Sequence, residues 1–180
     1  MIKSPSALVR AALVAKFADV NLGVNPVYAS VVPNYAGAGS IAINFQLPGS
    51  LNFFLGRVPL DEIIAAGNFT FPLMVMYTTA GKDTHKNKGV LYDGPVTAVV
   101  GLYLSSQAYA ASAMQSNFEV WMDAAEDALL QVCNNLSNQN WGPYVTYNGD
   151  FGFERGDVQK AGSNWLQALF VSLRFEVTVP

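Results

Sequence analysis

Charged side chains are scarce in this chain of 180 residues, at 13% of the sequence against roughly 25% in ordinary soluble domains. No charged residue occurs between Asp19 and Arg57, and a second uncharged run covers residues 94–118. Neither run predicts a membrane span: three prolines interrupt the first, and the apolar core of the second covers only residues 96–104, whereas a spanning helix needs about 20 residues. Large neutral surfaces are stable when other subunits bury them, so we expect a homo-oligomer.

Cysteine and histidine are each present once, as Cys133 and His85. One cysteine excludes a disulfide framework and a cysteine zinc cluster, and one histidine excludes multi-histidine metal sites. Any Ser-His or Cys-His mechanism would depend on His85, which lies in a predicted polar loop. Cys133 is predicted to be a small buried apolar residue. We therefore predict no catalytic, metal or cofactor site.

Sequence motifs for nucleotide binding and covalent catalysis are also missing. The sequence contains no GxGxxG, Walker-type GxxxxGK or nucleophile elbow, which lowers the expectation of an enzyme. A net charge of −3 argues against a dedicated nucleic-acid binder. The N-terminus lacks a convincing secretory signal because Ser4-Pro5-Ser6 interrupts its apolar stretch, so we expect a protein of the reducing cytoplasm.

The clearest positive feature is a long strand predicted over residues 164–179. Its odd positions are apolar except Gln167, so one face is built for burial. Its even positions begin with Leu166, Ala168 and Phe170 and become polar only from residue 172 onward. A helix or a neighbouring subunit must therefore cover these three residues, and such a long strand suggests that something outside a minimal fold pairs with it or covers it.

Helical spacing predicts helices at residues 5–20, 60–66 and 116–136. Ser4 before Pro5 is a suitable start for the first helix. In the third, Ser116 and Glu119 match a capping box. The apolar stripe predicted to lie on the sheet consists of Trp121, Ala125, Ala128, Leu129, Val132 and Leu136.

The remaining segments favour strands and loops. Strands are predicted at residues 40–47, 69–78 and 96–104, with an extended segment at 21–40, a long loop at 80–94 and a linker at 105–116. Residues 144–147 and 151–154 could form a hairpin around Asn148-Gly149. The order predicts a single α+β domain over residues 1–180, with a mostly antiparallel β-sheet and two main α-helices packed on one face.

Two charged clusters interrupt the neutral chain. The acidic cluster consists of Glu119, Asp123, Glu126 and Asp127; a divalent cation or a pair of acid/base groups could use it, but a solvated or partner-facing helix surface is the stronger interpretation. The basic loop at residues 81–89 contains Lys82, His85, Lys86 and Lys88. It reads as a surface loop, and in a ring one loop per subunit would form a basic collar.

The order of elements resembles the tail terminator proteins of long-tailed bacteriophages. The similarity covers nearly the whole chain: an N-terminal amphipathic helix through Val9, Leu13 and Phe17, central strands, the helix around residues 121–136, and the final strand. The most family-like stretch is Asn164-Trp165-Leu166-Gln167-Ala168-Leu169, which leads into Phe175-Glu176-Val177-Thr178-Val179. The match is one of organisation, since no sharp motif or catalytic signature carries it.

This resemblance implies a structural virion protein of the tail and neck, assembled in the host cytoplasm. Its subunits would form a hexameric ring that caps the tail tube, stops tube polymerisation and joins the head-completion proteins, with DNA passing non-specifically through the lumen. The implied partners are further copies of the chain, the tail tube protein, neck proteins and a sheath protein, but no membrane. The uncharged residues 20–56 are a candidate interface, as are the four basic-loop residues and Leu166, Ala168 and Phe170.

Two alternatives remain open from the sequence. The first is another neck protein, such as a head-completion or adaptor subunit. The second belongs to a different class, a small oligomeric α+β enzyme or ligand-binding protein.

Overall fold

A computed structural model of the chain describes residues 4–35, 52–66, 69–81, 89, 91–106, 114–137 and 139–180. Within them, four α-helices, one short 3-10 helix and a mixed sheet of six strands confirm the predicted α+β class. The helices are α1 (Pro5–Phe17), α2 (Val24–Val31), α3 (Leu60–Ala66) and α4 (Met114–Leu136), with the 3-10 helix at Val32–Asn34. The strands are β1 (Phe53–Leu55), β2 (Leu73–Gly81), β3 (Tyr92–Ser105), β4 (Val145–Arg155), β5 (Gln159–Ala161) and β6 (Asn164–Val179). The strand predicted at residues 40–47 lies outside the described residues.

The long terminal strand is interior to the sheet. The order is β1-β2-β3-β6-β4, with β5 also paired to β6, and only the β1–β2 pair is parallel. Strand β3 pairs with β6 from Tyr92 opposite Val179 to Ser105 opposite Leu166, while β4 and β5 pair with it as well. The predicted bounds of β6 are correct, and the strands that pair with it come from this chain. The strands predicted at 69–78 and 96–104 are β2 and β3 with shifted ends.

Helices cover the two faces of the sheet unequally. On the helix face, α1, α2 and α4 bury one large cluster that includes Phe17, Trp121 and the odd positions of β6 from Leu169 onward. On the opposite α3 face, a smaller cluster gathers around Ile63 of α3 and Leu73 of β2. The predicted packing of the two main helices on one face is present, with α2 beside them.

The caps of the two main helices were predicted with mixed success. The Oγ of Ser4 accepts a hydrogen bond from the N–H of Ala7 at 3.3 Å, which confirms the start of α1. The helix ends at Phe17 instead of residue 20, because the carboxylate of Asp19 accepts two backbone N–H groups and forms a turn. The Ser116 cap is wrong, since α4 begins at Met114 and Ser116 lies inside it. All six predicted stripe residues of α4 are buried.

The expectation of an extended segment at residues 21–40 is wrong where helix α2 occupies Val24–Val31. Its buried residues Val24, Val27, Tyr28 and Val31 have helical spacing and pack into the helix-face cluster. Proline at position 26 is tolerated because the N–H groups of a first helical turn have no intrahelical partner. The residue before the helix must be glycine: a Cβ at Gly23 would lie 2.4 Å from the carbonyl oxygens of Phe17 and Asp19.

The predicted hairpin around Asn148-Gly149 is also wrong. Both of its arms belong to β4, and both pair with β6, as Tyr147 opposite Phe175 and Phe151 opposite Leu173. The chain advances four residues on β4 and two on β6, so the turn-forming residues make a bulge. Gly149 has a φ of 79° in this bulge, a backbone conformation that glycine adopts without strain.

Candidate functional site

The basic loop predicted as an interface can be located only by its ends. Four predicted site residues lie outside the described residues: Lys82, His85, Lys86 and Lys88. Before the loop, Gly81 ends β2 opposite Val96. After it, the N–H of Leu91 donates to the carbonyl of Val179 at 2.7 Å. The loop therefore leaves and re-enters the sheet near the end where β6 finishes, and its predicted role stays a prediction.

The other three predicted interface residues lie on the α3 face. Leu166 and Ala168 are buried against Ile63 and Leu73, so a helix of the same chain covers the first half of β6. Phe170 is only partly buried. Its ring packs edge-on against Tyr103, with the centroids 5.7 Å apart. Of the three, Phe170 is the residue that a partner could still contact, and their interface role remains a prediction.

A cavity of about 240 Å³ adjoins Phe170 on this face. Its lining includes the aromatic side chains of Tyr77 and Tyr103 and the charged side chains of Arg57 and Asp157. The phenol of Tyr103 donates to the carbonyl of Val58 at 3.3 Å, and burial raises the pKa of Tyr103 to about 12. Tyr103 is therefore a neutral donor at neutral pH, and the cavity combines aromatic rings with one charge of each sign.

The acidic cluster on α4 surrounds a cation that the sequence interpretation missed, Arg155 of β4. Its guanidinium contacts Glu119 at 3.1 Å, Asp123 at 2.7 Å and Glu126 at 2.6 Å. Burial opposes the charge, but hydrogen bonds to Asp123 and Glu126 outweigh it and raise the pKa of Arg155. The cluster therefore fastens the end of β4 to α4, and the cation at its centre belongs to the chain itself.

A sequence signal for this contact does exist. Between Glu119 and Asp157 the chain has seven acidic residues and a single basic one, Arg155. Three of the carboxylates recur on one helix face at spacings of four and three, which is the geometry needed to surround one guanidinium. The missing information was the pairing of β4 with β6, which brings Arg155 opposite Leu169 and over α4.

The fourth carboxylate of the cluster has different partners. Asp127 accepts hydrogen bonds from the hydroxyl of Tyr35 at 3.2 Å and from the side-chain amide of Gln131 at 3.0 Å. Burial and the Asp127 carboxylate raise the pKa of Tyr35, so its phenol stays protonated and donates. This contact fixes the end of the α2 and 3-10 segment on α4.

Strand β4 forms one edge of the sheet within the described part of the chain. Three large apolar residues on or beside it are exposed, Tyr144, Phe153 and Val158, and Phe153 is 53% accessible. An exposed strand edge presents unpaired backbone N–H and carbonyl groups, which another strand or extended segment can pair with. This edge and the acidic row beside it, Glu119 and Asp123 of α4, form a surface that suits a macromolecular partner.

The core contains one group with reactive potential. Cys133 is fully buried on the helix face, and burial raises the pKa of its thiol to about 12. At neutral pH the thiol is protonated and shielded from solvent, as expected for a packing role.

No protein-family model and no curated protein matches the chain. Among the described residues, no group of three or more His, Cys, Asp and Glu side chains is arranged to hold a metal ion. Nor does any described helix have the length and apolar character needed to cross a membrane.

Proposed function

We propose that this chain is a structural protein of the tail of a long-tailed bacteriophage, namely a tail terminator that forms a ring capping the tail tube where it joins the head. The observation that carries the proposal is the order of elements. The N-terminal helix α1 and the long helix α4 pack on one face of a mostly antiparallel sheet, with α2 beside them, and the long interior strand β6 is the last element. That is the organisation on which the resemblance to tail terminators rests.

The surface of the subunit supports an assembly role. Its described sheet has an exposed edge at β4 with the half-exposed Phe153, and charged residues are only 13% of the chain. Edge strands and neutral surface both favour contacts between subunits. The proposed partners are copies of the chain, the tail tube protein, neck or head-completion proteins and a sheath protein, in a ring through which DNA passes.

Light scattering after size exclusion, followed by negative-stain imaging, tests the ring directly. We expect a closed assembly of about six copies, and we expect purified tail tube protein to form tubes of limited length, capped at one end, when the chain is added. An unrelated acidic protein of similar size is the control. A chain that stays monomeric and leaves tube growth unchanged would overturn the proposal.

The cavity beside Phe170 favours a second candidate, a ligand-binding protein. A lining of aromatic side chains together with Arg57 and Asp157 suits a small planar ligand with polar groups. Screening for ligand-induced rises in melting temperature distinguishes the two functions, with Phe170→Ala as the variant in which a ligand at this cavity loses its effect.

A further inference from the structure

We propose that the exposed edge of β4, together with the acidic row beside it, binds the basic loop of a second copy of this chain. The docking surface is defined by Phe153 on the helix-face side of β4 and by Glu119 and Asp123 on α4. The loop is the segment at residues 81–89. This inference rests on the proposed function, because it names the contact between neighbouring subunits within the ring.

The first argument is the open edge itself. Within the described residues, β4 pairs only with β6, so its outer backbone groups face away from the sheet. Phe153 lies opposite Val171 of β6, on the helix face, and is 53% accessible. A segment laid along this edge gains backbone hydrogen bonds and covers an apolar ring.

The second argument is charge. Glu119 and Asp123 retain side-chain exposures of 65% and 49% despite their contact with Arg155, whereas Glu154 lies opposite Phe170 on the α3 face and does not belong to this surface. The single guanidinium leaves this surface with excess negative charge. A neutral or acidic segment would therefore bind poorly here, and a basic one is favoured.

The chain carries one matching segment. Residues 81–89 hold three of its ten basic residues, Lys82, Lys86 and Lys88, with Asp83 as the only acid. All three lysines occupy even positions, so they would share one side of an extended segment, where successive side chains alternate. Such a segment could pair its backbone with β4 and direct its ammonium groups at the carboxylates.

The geometry requires two copies of the chain. At the docking surface, Arg155 pairs with Leu169 of β6. At the start of the loop, Gly81 pairs with Val96, which in turn pairs with Phe175 of β6. Just after the loop, Leu91 is hydrogen-bonded to Val179 of β6. Measured along β6, Phe175 and Val179 lie about 20 and 33 Å from Leu169, and the three strand spacings between β2 and β4 add about 14 Å across the sheet. To reach this part of the β4 edge in its own chain, the loop would have to cover more than about 50 Å on its way from Gly81 to the edge and back to Leu91. The segment between Gly81 and Leu91 spans at most about 35 Å. Loop and edge therefore meet only between molecules.

A contact between two different surfaces is heterologous. Each copy offers a loop to one neighbour and an edge to the other, so the copies form a closed ring or an open filament. Charge steering also makes the association sensitive to salt, since exposed pairs are screened at a Debye length of about 8 Å at physiological ionic strength.

Charge-reversal variants with a rescue test this contact. One variant carries Lys82→Glu, Lys86→Glu and Lys88→Glu, and the other carries Glu119→Lys and Asp123→Lys. Each alone should weaken self-association at least about tenfold, measured by analytical ultracentrifugation. An equimolar mixture should restore assembly, because the acidic loop of one variant then meets the basic edge of the other.

The matched control carries Asp61→Lys and Glu62→Lys on α3, two exposed acids that lie away from the edge. It should assemble like the wild type. Circular dichroism reports the fold, and Glu119→Lys alone replaces the double variant if the loss of both contacts to Arg155 unfolds it. Unchanged self-association of both reversal variants, or no recovery in the mixture, would overturn the contact.

The outcomes separate this inference from the proposed function. Rings that cap tail tubes but survive both charge reversals would sink the contact and leave the function standing. Assemblies that follow the charge reversals but leave tube growth unchanged would do the opposite.

Discussion

The two faces of the sheet differ in how much of their apolar surface the chain itself covers. Helices α1, α2 and α4 bury the odd positions of β6 from Leu169 to Val179 on the helix face. On the α3 face, a helix of seven residues covers only the first half of that strand. Beyond Phe170 this face becomes polar, with Ser172 and Arg174 exposed. The helix face therefore supplies most of the stability, and the α3 face leaves surface available for other molecules.

Two leucines on the same strand test this difference most strongly. Leu173 faces the large cluster and Leu166 the small one, and both are at most 2% exposed. Leu173→Ala should cost about 3–5 kcal/mol of unfolding free energy, because a well-packed core collapses little around a cavity, whereas Leu166→Ala should cost about 2–3 kcal/mol. Urea denaturation with unchanged slope measures both. An equal or larger loss for Leu166→Ala would contradict the ranking of the faces.

The ion-pair contact between β4 and α4 should give the next largest change in the free energy of unfolding. Arg155→Ala removes a half-buried cation and leaves Glu119, Asp123 and Glu126 close together, so we expect a loss of about 1–2 kcal/mol. Hydrogen exchange should also become faster in β4 near Phe153. Arg174 is exposed, and its guanidinium lies 3.8 Å from the carboxylate of Glu176. Arg174→Ala is therefore the matched control. Its cost should stay within about 0.5 kcal/mol.

Comparable losses for Arg155→Ala and Arg174→Ala would show that the carboxylates on α4 do not hold the edge strand. The docking surface proposed for a second copy would then lack a fixed backbone.

Prediction from the sequence succeeded where one periodicity dominated. The bounds of β6 and the buried stripe of α4 were both predicted correctly because alternation and helical spacing persist over many residues. Helix α2 was missed because Gly23 and Pro26 suggested a loop, although in a helix these residue types are suited to the cap and the first turn.

The candidate surface at β4 and α4 was harder to predict because it depends on strand order. Asn148-Gly149 has the composition of a hairpin turn, and only the pairing of both flanking segments with β6 turns it into a bulge. The same pairing brings Arg155 to three carboxylates some thirty residues earlier in the chain. Sequence spacing predicted that the carboxylates share a helix face, but not which cation they contact.

Two buried tyrosines provide the smallest test of the two faces. On the helix face, the hydroxyl of Tyr147 is buried without a hydrogen-bond partner among the described residues. On the α3 face, the hydroxyl of Tyr103 donates to Val58. Tyr147→Phe should therefore be neutral or stabilise by up to about 1 kcal/mol, because it removes an unsatisfied polar group, whereas Tyr103→Phe should cost about 0.5–1 kcal/mol. Opposite signs in thermal unfolding are the expected result. A destabilising Tyr147→Phe would mean that this hydroxyl has a partner, and that the helix face carries a polar contact as well as apolar packing.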